Sequence, residues 1–388
     1  MKSKYLAFIL VLVVVFIFIL AQVNAKDNGK VRVIAHSDKE VKDAEQKGCK
    51  KVREAKTLKA LVCPEGAASE LGLQEDVRVF ALGFEDKNAE GKKVSASDAN
   101  ANKQIRADLV HSSGNTGSGR KVVVLDTGYN YNHPELSSSY LGGKDFVNDD
   151  NDPLDDNGHG SHVSGIITAD GVDAKAKGVA HSAGVIAGKV LDASGYGFFS
   201  DVVAAIYWAV DGNDGVNGTS DDFNADAISM SLGTSPPYTY KGFCDNVLPD
   251  LTNAIKYARS RNVAVVVAAG NSGSSGVSIP GCISYSTAVG AVDSKDRIAS
   301  FSGRGNAVDI TAPGVSIYSS WLGTSYKTAS GTSMATPMVS GTVALVKYTH
   351  PGYTVAQTES ALFSTAKDLG KAGKDTSFGW GRVDSYAA

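Results

Sequence analysis

The spacing of apolar and polar positions divides the chain into three textures. Residues 5–21 form an almost unbroken apolar run, preceded by Lys2 and Lys4. Val23-Asn24-Ala25 follows, with small residues at the −3 and −1 positions of a cleavage site. This is the layout of a secretory signal peptide cut after Ala25. The alternative is an uncleaved anchor, because the run nearly reaches spanning length. On either reading the rest of the chain lies outside the cytosol, where disulfides persist. From 26 to about 90 the periods are short and charged. Val31-Arg32-Val33-Ile34 alternates as a strand does, and 38–47 reads as a polar helix. Leu58-Lys59-Ala60-Leu61-Val62 and Val77-Arg78-Val79-Phe80 read as further strands. Two βαβ-like halves of this kind predict a small α+β module. Residues 91–102 are polar and aperiodic, which predicts a linker open to proteolysis.

Beyond the linker, short apolar runs at 121–125, 184–190, 225–231, 263–269 and 286–292 are bounded by Gly, Asn or Asp. Helical patterns such as 201–210 and 248–261 lie between them. Near-continuous apolar strands alternating with helices predict a buried parallel sheet, hence a three-layer α/β domain. There is no internal repeat. The one low-complexity patch, 211–222, is rich in Asp, Asn and Gly.

Composition narrows the class. With 43% hydrophobic residues in 388 there is ample material for a large core, which excludes disorder as the main state. The 38 basic and 41 acidic residues leave −3, which argues against a nucleic-acid partner. Four Cys are too few for a disulfide scaffold and form no C-x-x-C metal pair.

Ligand chemistry in an open parallel sheet gathers at the carboxyl ends of the strands. Three segments bring reactive residues there. Asp126, in Leu125-Asp126-Thr127-Gly128, ends a buried run. It suits a turn former, a ribose ligand or a carboxylate that orients a histidine. Asp-Thr-Gly also marks aspartic proteases, but those need two such carboxylates and no second copy occurs. In Asn157-Gly158-His159-Gly160-Ser161-His162, glycines flank a histidine that enters a helical run. His159 and His162 have a helical metal-ligand spacing, yet no Cys or Glu nearby completes a set. In Ser330-Gly331-Thr332-Ser333-Met334-Ala335-Thr336-Pro337, Ser333 falls at a helix start. It reads equally as an N-terminal cap or as a nucleophile.

Taken in chain order, Asp126, His159 and Ser333 make a carboxylate, a base and a nucleophile. With Ala268-Ala269-Gly270-Asn271 they supply four ordered motifs, and from about residue 102 to 388 the chain resembles the subtilisin-like serine proteases. The resemblance implies a three-layer parallel-sheet catalytic domain at 103–388. It makes residues 26–90 a small α+β, ferredoxin-like propeptide, an inhibitor and folding aid whose tail lies in the cleft. It also implies self-cleavage, with 85–99 as the expected region. Ser333 would be the nucleophile, His159 the general base and acid, Asp126 its orienter and Asn271 the oxyanion donor. Gly195, Tyr196, Gly197 and Ser231, Leu232, Gly233 would be the edges that hold an extended peptide substrate. Phe199 would line an apolar subsite. Ala268, Ala269 and Gly270 would wall the first pocket, with Ser278 and Ile279 near its base. The resemblance implies a Cys244–Cys282 bridge and leaves Cys49 and Cys63 either paired or as buried thiols. Asp211, Asn213, Asp214, Asn217, Asp221 and Asp222 are candidate calcium ligands, and Glu135 matches a calcium position of the family. Val172 in the partner loop weakens that second site. The expected protein is a secreted, monomeric, broad-specificity serine endopeptidase made as a zymogen, with structural calcium and no catalytic cofactor.

Overall fold

The structure is a computed structural model that describes residues 29–85 and 99–388. The signal segment expected at 1–25 and the greater part of the linker expected at 91–102 lie outside the described residues. The chain divides into two compact units, one ending at Asp76 and the other running from Val77 to Ala388.

The first unit follows the order β1 (Lys30–Ala35), α1 (Asp38–Gln46), β2 (Lys50–Glu54), β3 (Lys59–Pro64), α2 (Glu65–Leu71) and β4 (Gln74–Glu75). Its sheet runs β2-β3-β1-β4, with every pairing antiparallel. This is the split βαβ arrangement. Alternation in β1 turns Val33 and Ala35 onto one face, where they meet Leu61, Cys63, Val41, Ala44 and Ala68 in one core. Ser37 starts α1 through a reciprocal cap. Its hydroxyl accepts the Glu40 amide at 3.2 Å, and the Glu40 carboxylate accepts the Ser37 amide at 2.9 Å. A disulfide joins Cys49 to Cys63. That answers the question the residues alone left open.

The second unit opens with β5 (Arg78–Ala81), β6 (Phe84–Glu85), α3 (Ala99–Gln104) and α4 (Ala107–Ser112). There follow β7 (Lys121–Asp126), β8 (Tyr140–Asp145), α5 (His159–Thr168), β9 (Gly184–Lys189), β10 (Tyr196–Phe198) and α6 (Phe199–Asp211). Next come β11 (Ala227–Met230), β12 (Leu232–Gly233), β13 (Thr239–Tyr240), α7 (Pro249–Ser260), β14 (Ala264–Ala268), β15 (Val277–Ser278) and β16 (Thr287–Val292). The unit ends with β17 (Val308–Pro313), β18 (Ile317–Ser320), β19 (Tyr326–Ser330), α8 (Thr332–Thr349) and α9 (Val355–Thr365).

Seven of these strands form one parallel sheet in the order β17-β16-β14-β11-β7-β9-β8. The α/β expectation is met. Alternation explains why its inner strands read as unbroken apolar runs. Val122 and Val124 of β7 face a core shared with Ile166 and Ile167 of α5 and Met338, Val339 and Val343 of α8. Leu125 points the other way, and it and Trp208 of α6 both crowd Gly188. On that side the Tyr207 and Tyr257 rings join α6 to α7, 5.3 Å between centroids. Two strands of the sheet, β8 and β17, were not anticipated. They are its edges. Tyr-Leu-Gly-Gly-Lys-Asp is mostly half-exposed, and Val-Asp-Ile-Thr-Ala-Pro ends in a proline, so neither carries a continuous apolar signature.

Candidate active site

Three buried side chains converge from three elements. Asp126 ends β7, His159 opens α5 and Ser333 is the second residue of α8. His159 Nδ1 lies 2.7 Å from Asp126 Oδ1. A carboxylate only accepts, so Nδ1 carries the proton and Nε2 presents its lone pair. Burial pushes the His159 pKa down, but the charge and the hydrogen bond of Asp126 outweigh it and leave the pKa raised. His162 behaves oppositely. Burial, helped by the neighbouring His159, lowers its pKa to about 3. Its Nε2 lies 3.1 Å from both the Ile317 and the Lys327 carbonyl oxygens. It therefore donates there as a neutral ring and does not share a ligand site with His159.

The Ser333 hydroxyl donates to the Ser231 carbonyl at 2.8 Å. Among the described residues His159 Nε2 has no hydrogen-bond partner. In this structure the Ser333 hydroxyl is thus directed at Ser231 and not at His159.

Asn271 follows β14 and points its side-chain amide at the carbonyl oxygen of Leu82. Its orientation is held from behind. Asn271 Oδ1 accepts the Thr332 amide at 3.0 Å and the Thr332 hydroxyl at 2.9 Å. That hydroxyl in turn accepts the Gly270 amide at 3.1 Å. Gly331 makes the approach possible. Its φ is 153°, and a Cβ there would come within 2.4 Å of the Leu82 oxygen.

Two positioning residues escaped the sequence reading. Thr332 is one, since a Thr beside a helix start gives no hint that it clamps an amide 61 residues away. The other is Asp155. Its carboxylate accepts Thr127 Oγ1 (2.9 Å), Ser161 Oγ (2.6 Å) and the amides of Asn157 (3.0 Å), Gly158 (2.9 Å) and Ser161 (2.8 Å). It thereby ties the turn that carries His159 to the turn that carries Asp126. The acidic pair Asp155-Asp156 just before Gly158-His159 is the signal that could have found it.

The two edge segments expected to hold a peptide lie on either side of β5. Tyr196 and Gly197 of β10 pair with Phe80 and Val79, and Leu232 and Gly233 of β12 pair with Ala81 and Phe80, both antiparallel. Gly195 O accepts the Ala81 amide at 3.0 Å, and Ser231 O accepts the Leu82 amide at 3.1 Å. Ala268, Ala269 and Gly270 are buried at the end of β14, and Phe199 is buried at the start of α6. Beside β5 there remains a cleft of about 300 Å³, lined by His159, Asn157, Gly195, Tyr196 and Trp321 among others.

Comparison with known proteins bears directly on this arrangement. Residues 117–381 match the family model described as the subtilase family. The chain belongs to the subtilase family. It is 40% identical over 285 residues to Subtilisin BL of Lederbergia lenta, covering 74% of this chain and 96% of that protein. It is 38% identical over 308 residues to an alkaline protease of Shouchella clausii, covering 79% and 74%. The thermophilic serine proteinase of Bacillus sp. (strain AK1) is 40% identical over 272 residues, covering 70% of this chain and 62% of that one. As a subtilase the chain is a serine endopeptidase.

In this subtilase both cysteine pairs are bridged. Cys244–Cys282 joins the loop before α7 to the segment after β15. The candidate calcium ligands do not fit a cation cage. Calcium takes six to eight oxygens pointed at one centre. Both Glu135 oxygens are instead filled by donors: the Gly171, Val172 and Asp173 amides at 2.7, 3.1 and 2.6 Å, and the Tyr326 hydroxyl at 2.9 Å. Asp221 accepts the Asn213 and Asp214 amides at 2.6 and 3.0 Å and the Thr219 hydroxyl at 2.6 Å. Asp222 caps the Gly218 amide at 2.6 Å, Asp214 that of Val216 at 2.7 Å, and Asp211 accepts from Tyr257 at 2.6 Å. Asn213 accepts Trp208 Nε1 at 2.9 Å, and the Asn217 amide is directed at Val210 O. Among the described residues no three His, Cys, Asp or Glu side chains are grouped to hold a metal. Likewise among them, no helix is long and apolar enough to cross a membrane.

Proposed function

We propose that this subtilase is a secreted, broad-specificity endopeptidase that hydrolyses peptide bonds through Asp126, His159 and Ser333 and is made as a self-processing zymogen. Ser333 Oγ attacks the substrate carbonyl as His159 Nε2 takes its proton. Asp126 keeps Nδ1 protonated and stabilises the imidazolium that results. The developing oxyanion is met by the Asn271 amide, which Thr332 holds in place so that little reorganisation is needed at the moment of reaction. His159 returns its proton to the leaving amine, and water then cleaves the acyl-enzyme by the same steps in reverse.

One observation carries the reading. A backbone carbonyl, that of Leu82, accepts the Asn271 amide, while the Ser231 carbonyl accepts both the Leu82 amide and the Ser333 hydroxyl. An extended chain is thus held with a carbonyl at the oxyanion donor and beside the nucleophile. Main-chain pairing along β10 and β12 recognises backbone rather than sequence, which supports broad specificity. The first unit belongs to the propeptide in this reading, and the apolar run at 5–21 is its export signal. The reading takes the enzyme to work as a monomer, as the resemblance implies. Calcium forms no part of the proposal.

Labelling with a fluorophosphonate tests it. Purified processed protein is expected to label at Ser333, and the Ser333→Ala variant is expected to take no label and to lose about 10⁶ or more in turnover. The same variant is expected to persist as an uncut precursor while wild type shortens. Protein without label at Ser333, or equal shortening of both forms in a protease-free preparation, would refute the reading.

A further inference from the structure

We propose that the bond this enzyme cuts in its own chain is Leu82–Gly83, upstream of the polar stretch expected to be cut, and that residues 79–83 display the sequence the cleft prefers. The inference rests on the proteolytic reading above and adds the bond and the side chains that select it.

Five observations within the second unit converge on this bond. β5 lies between β10 and β12 and is hydrogen-bonded to both, so the chain reaches the site as a third strand. The Leu82 carbonyl accepts the Asn271 amide, the contact an oxyanion there would strengthen. The Leu82 amide and the Ser333 hydroxyl share the Ser231 carbonyl, at 3.1 and 2.8 Å, so the nucleophile sits beside the residue whose carbonyl it would attack. Gly83 passes directly over the base. A Cβ built there would lie 2.8 Å from His159 Nε2 and 3.1 Å from Met334 Cε. Beyond it the chain is held again, as β6 pairs antiparallel with β19 through Phe84 with Ser330 and Glu85 with Ala329. No other described stretch has one carbonyl at Asn271 and the next residue at His159.

The side chains give the preference. Leu82 is 4% exposed and Val79 fully buried, whereas Phe80 and Ala81 are partly exposed. Leu82 packs where Gly233 and Ser278 leave room, since a Cβ on Gly233 would strike Leu82 Cδ1 at 2.8 Å and Ser278 Cβ at 3.0 Å. The enzyme should therefore favour Leu before the cut, a branched aliphatic three residues earlier and Gly after it. The step balances simply. Ser333 Oγ bonds to the Leu82 carbonyl carbon, the bond to the Gly83 nitrogen breaks, and His159 passes the serine proton to that nitrogen. One water then hydrolyses the ester, leaving a carboxylate on Leu82, an amine on Gly83 and a free Ser333.

The test is intact-mass analysis of the refolding precursor during its first minutes, before secondary trimming, with fluorophosphonate labelling of the product. The expected result is an N-terminal fragment ending at Leu82 and a partner beginning at Gly83. Leu82→Glu should slow that cut about 10-fold or more, because a charge must enter an apolar pocket. Gly83→Val should slow it similarly, and Leu82→Met should restore near-normal cutting and so guard against a folding artefact. A first fragment ending anywhere else, or unchanged kinetics in both Leu82→Glu and Gly83→Val, overturns the assignment. If Ser333 still labels, the proteolytic reading survives that failure. If neither label nor fragment forms, both fall.

Discussion

At the scale of single residues the chemistry follows from who may donate to whom. Asp126 accepts the Thr127 amide at 2.8 Å as well as His159 Nδ1, so its position and the tautomer of the ring are settled together. Its negative charge opposes the desolvation that would otherwise keep His159 neutral to low pH, and the net pKa is raised. The base works only when neutral, so the acid limb of kcat/KM should lie above the ordinary histidine value of about 6.5. Asp126→Asn removes the charge and leaves the burial. The limb should then move to lower pH, and kcat should fall by about 10⁴, the loss known for the same change in another serine-protease triad. A pH profile of the variant checks both, and a limb that stays in place would mean that Asp126 does not govern the ring. The residues to which we assign the reaction stand out in the sequence because each holds a marked position: an apolar run's end, a glycine-flanked histidine, a helix start. Thr332 and Asp155 do not, because holding amides in place leaves no pattern in the sequence.

At the scale of elements, legibility tracks burial on both faces. β7, β9, β11, β14 and β16 are inner strands of the sheet, and each was visible as an apolar run. Of the edges, β8 is mostly half-exposed, and β17 is buried but has Asp309 and Thr311 among its apolar residues, so neither reads as an apolar run. β5 is a different case. Its alternation predicted a strand correctly, yet nothing in Val77-Arg78-Val79-Phe80 says that its partners lie more than a hundred residues on. Pairing is a tertiary fact, and a two-residue strand such as β12 is too short to announce itself. The Cys244–Cys282 bridge is also an element-scale device. It closes a separation of 38 residues around α7 and β14, and the Cys244 amide donates to the Cys282 carbonyl at 2.9 Å. Replacing both cysteines by serine should cost roughly 2–4 kcal/mol of stability, mainly by freeing the unfolded chain. Denaturant unfolding in the presence of a serine-protease inhibitor checks this. No loss would show that the hydrogen bonds around the bridge already supply the constraint.

At the scale of the molecule the two units present opposite folding problems. The first is small and stapled by Cys49–Cys63, with β2 and β3 joined as a local hairpin. The second has a sheet whose central strand, β11, lies between β14 and β7, and whose parallel neighbours are joined only through long crossovers. Such non-local pairing must close long loops before any contact repays the entropy lost, so it is intrinsically slow. β5 offers a shortcut. By pairing with β10 and β12 at once it covers two short strand edges and fixes their spacing, and it is covalently continuous with the first unit. A chain that starts at Gly83 lacks that strand. We expect Ser333→Ala precursor to refold from denaturant at least about 10-fold faster than the same variant begun at Gly83, because the precursor's transition state can use β5 to bring β10 and β12 together. Stopped-flow and manual-mixing fluorescence of the two chains, both incapable of digesting themselves, measure the ratio directly. Equal rates would show that β5 matters to the finished cleft and not to the path that builds it.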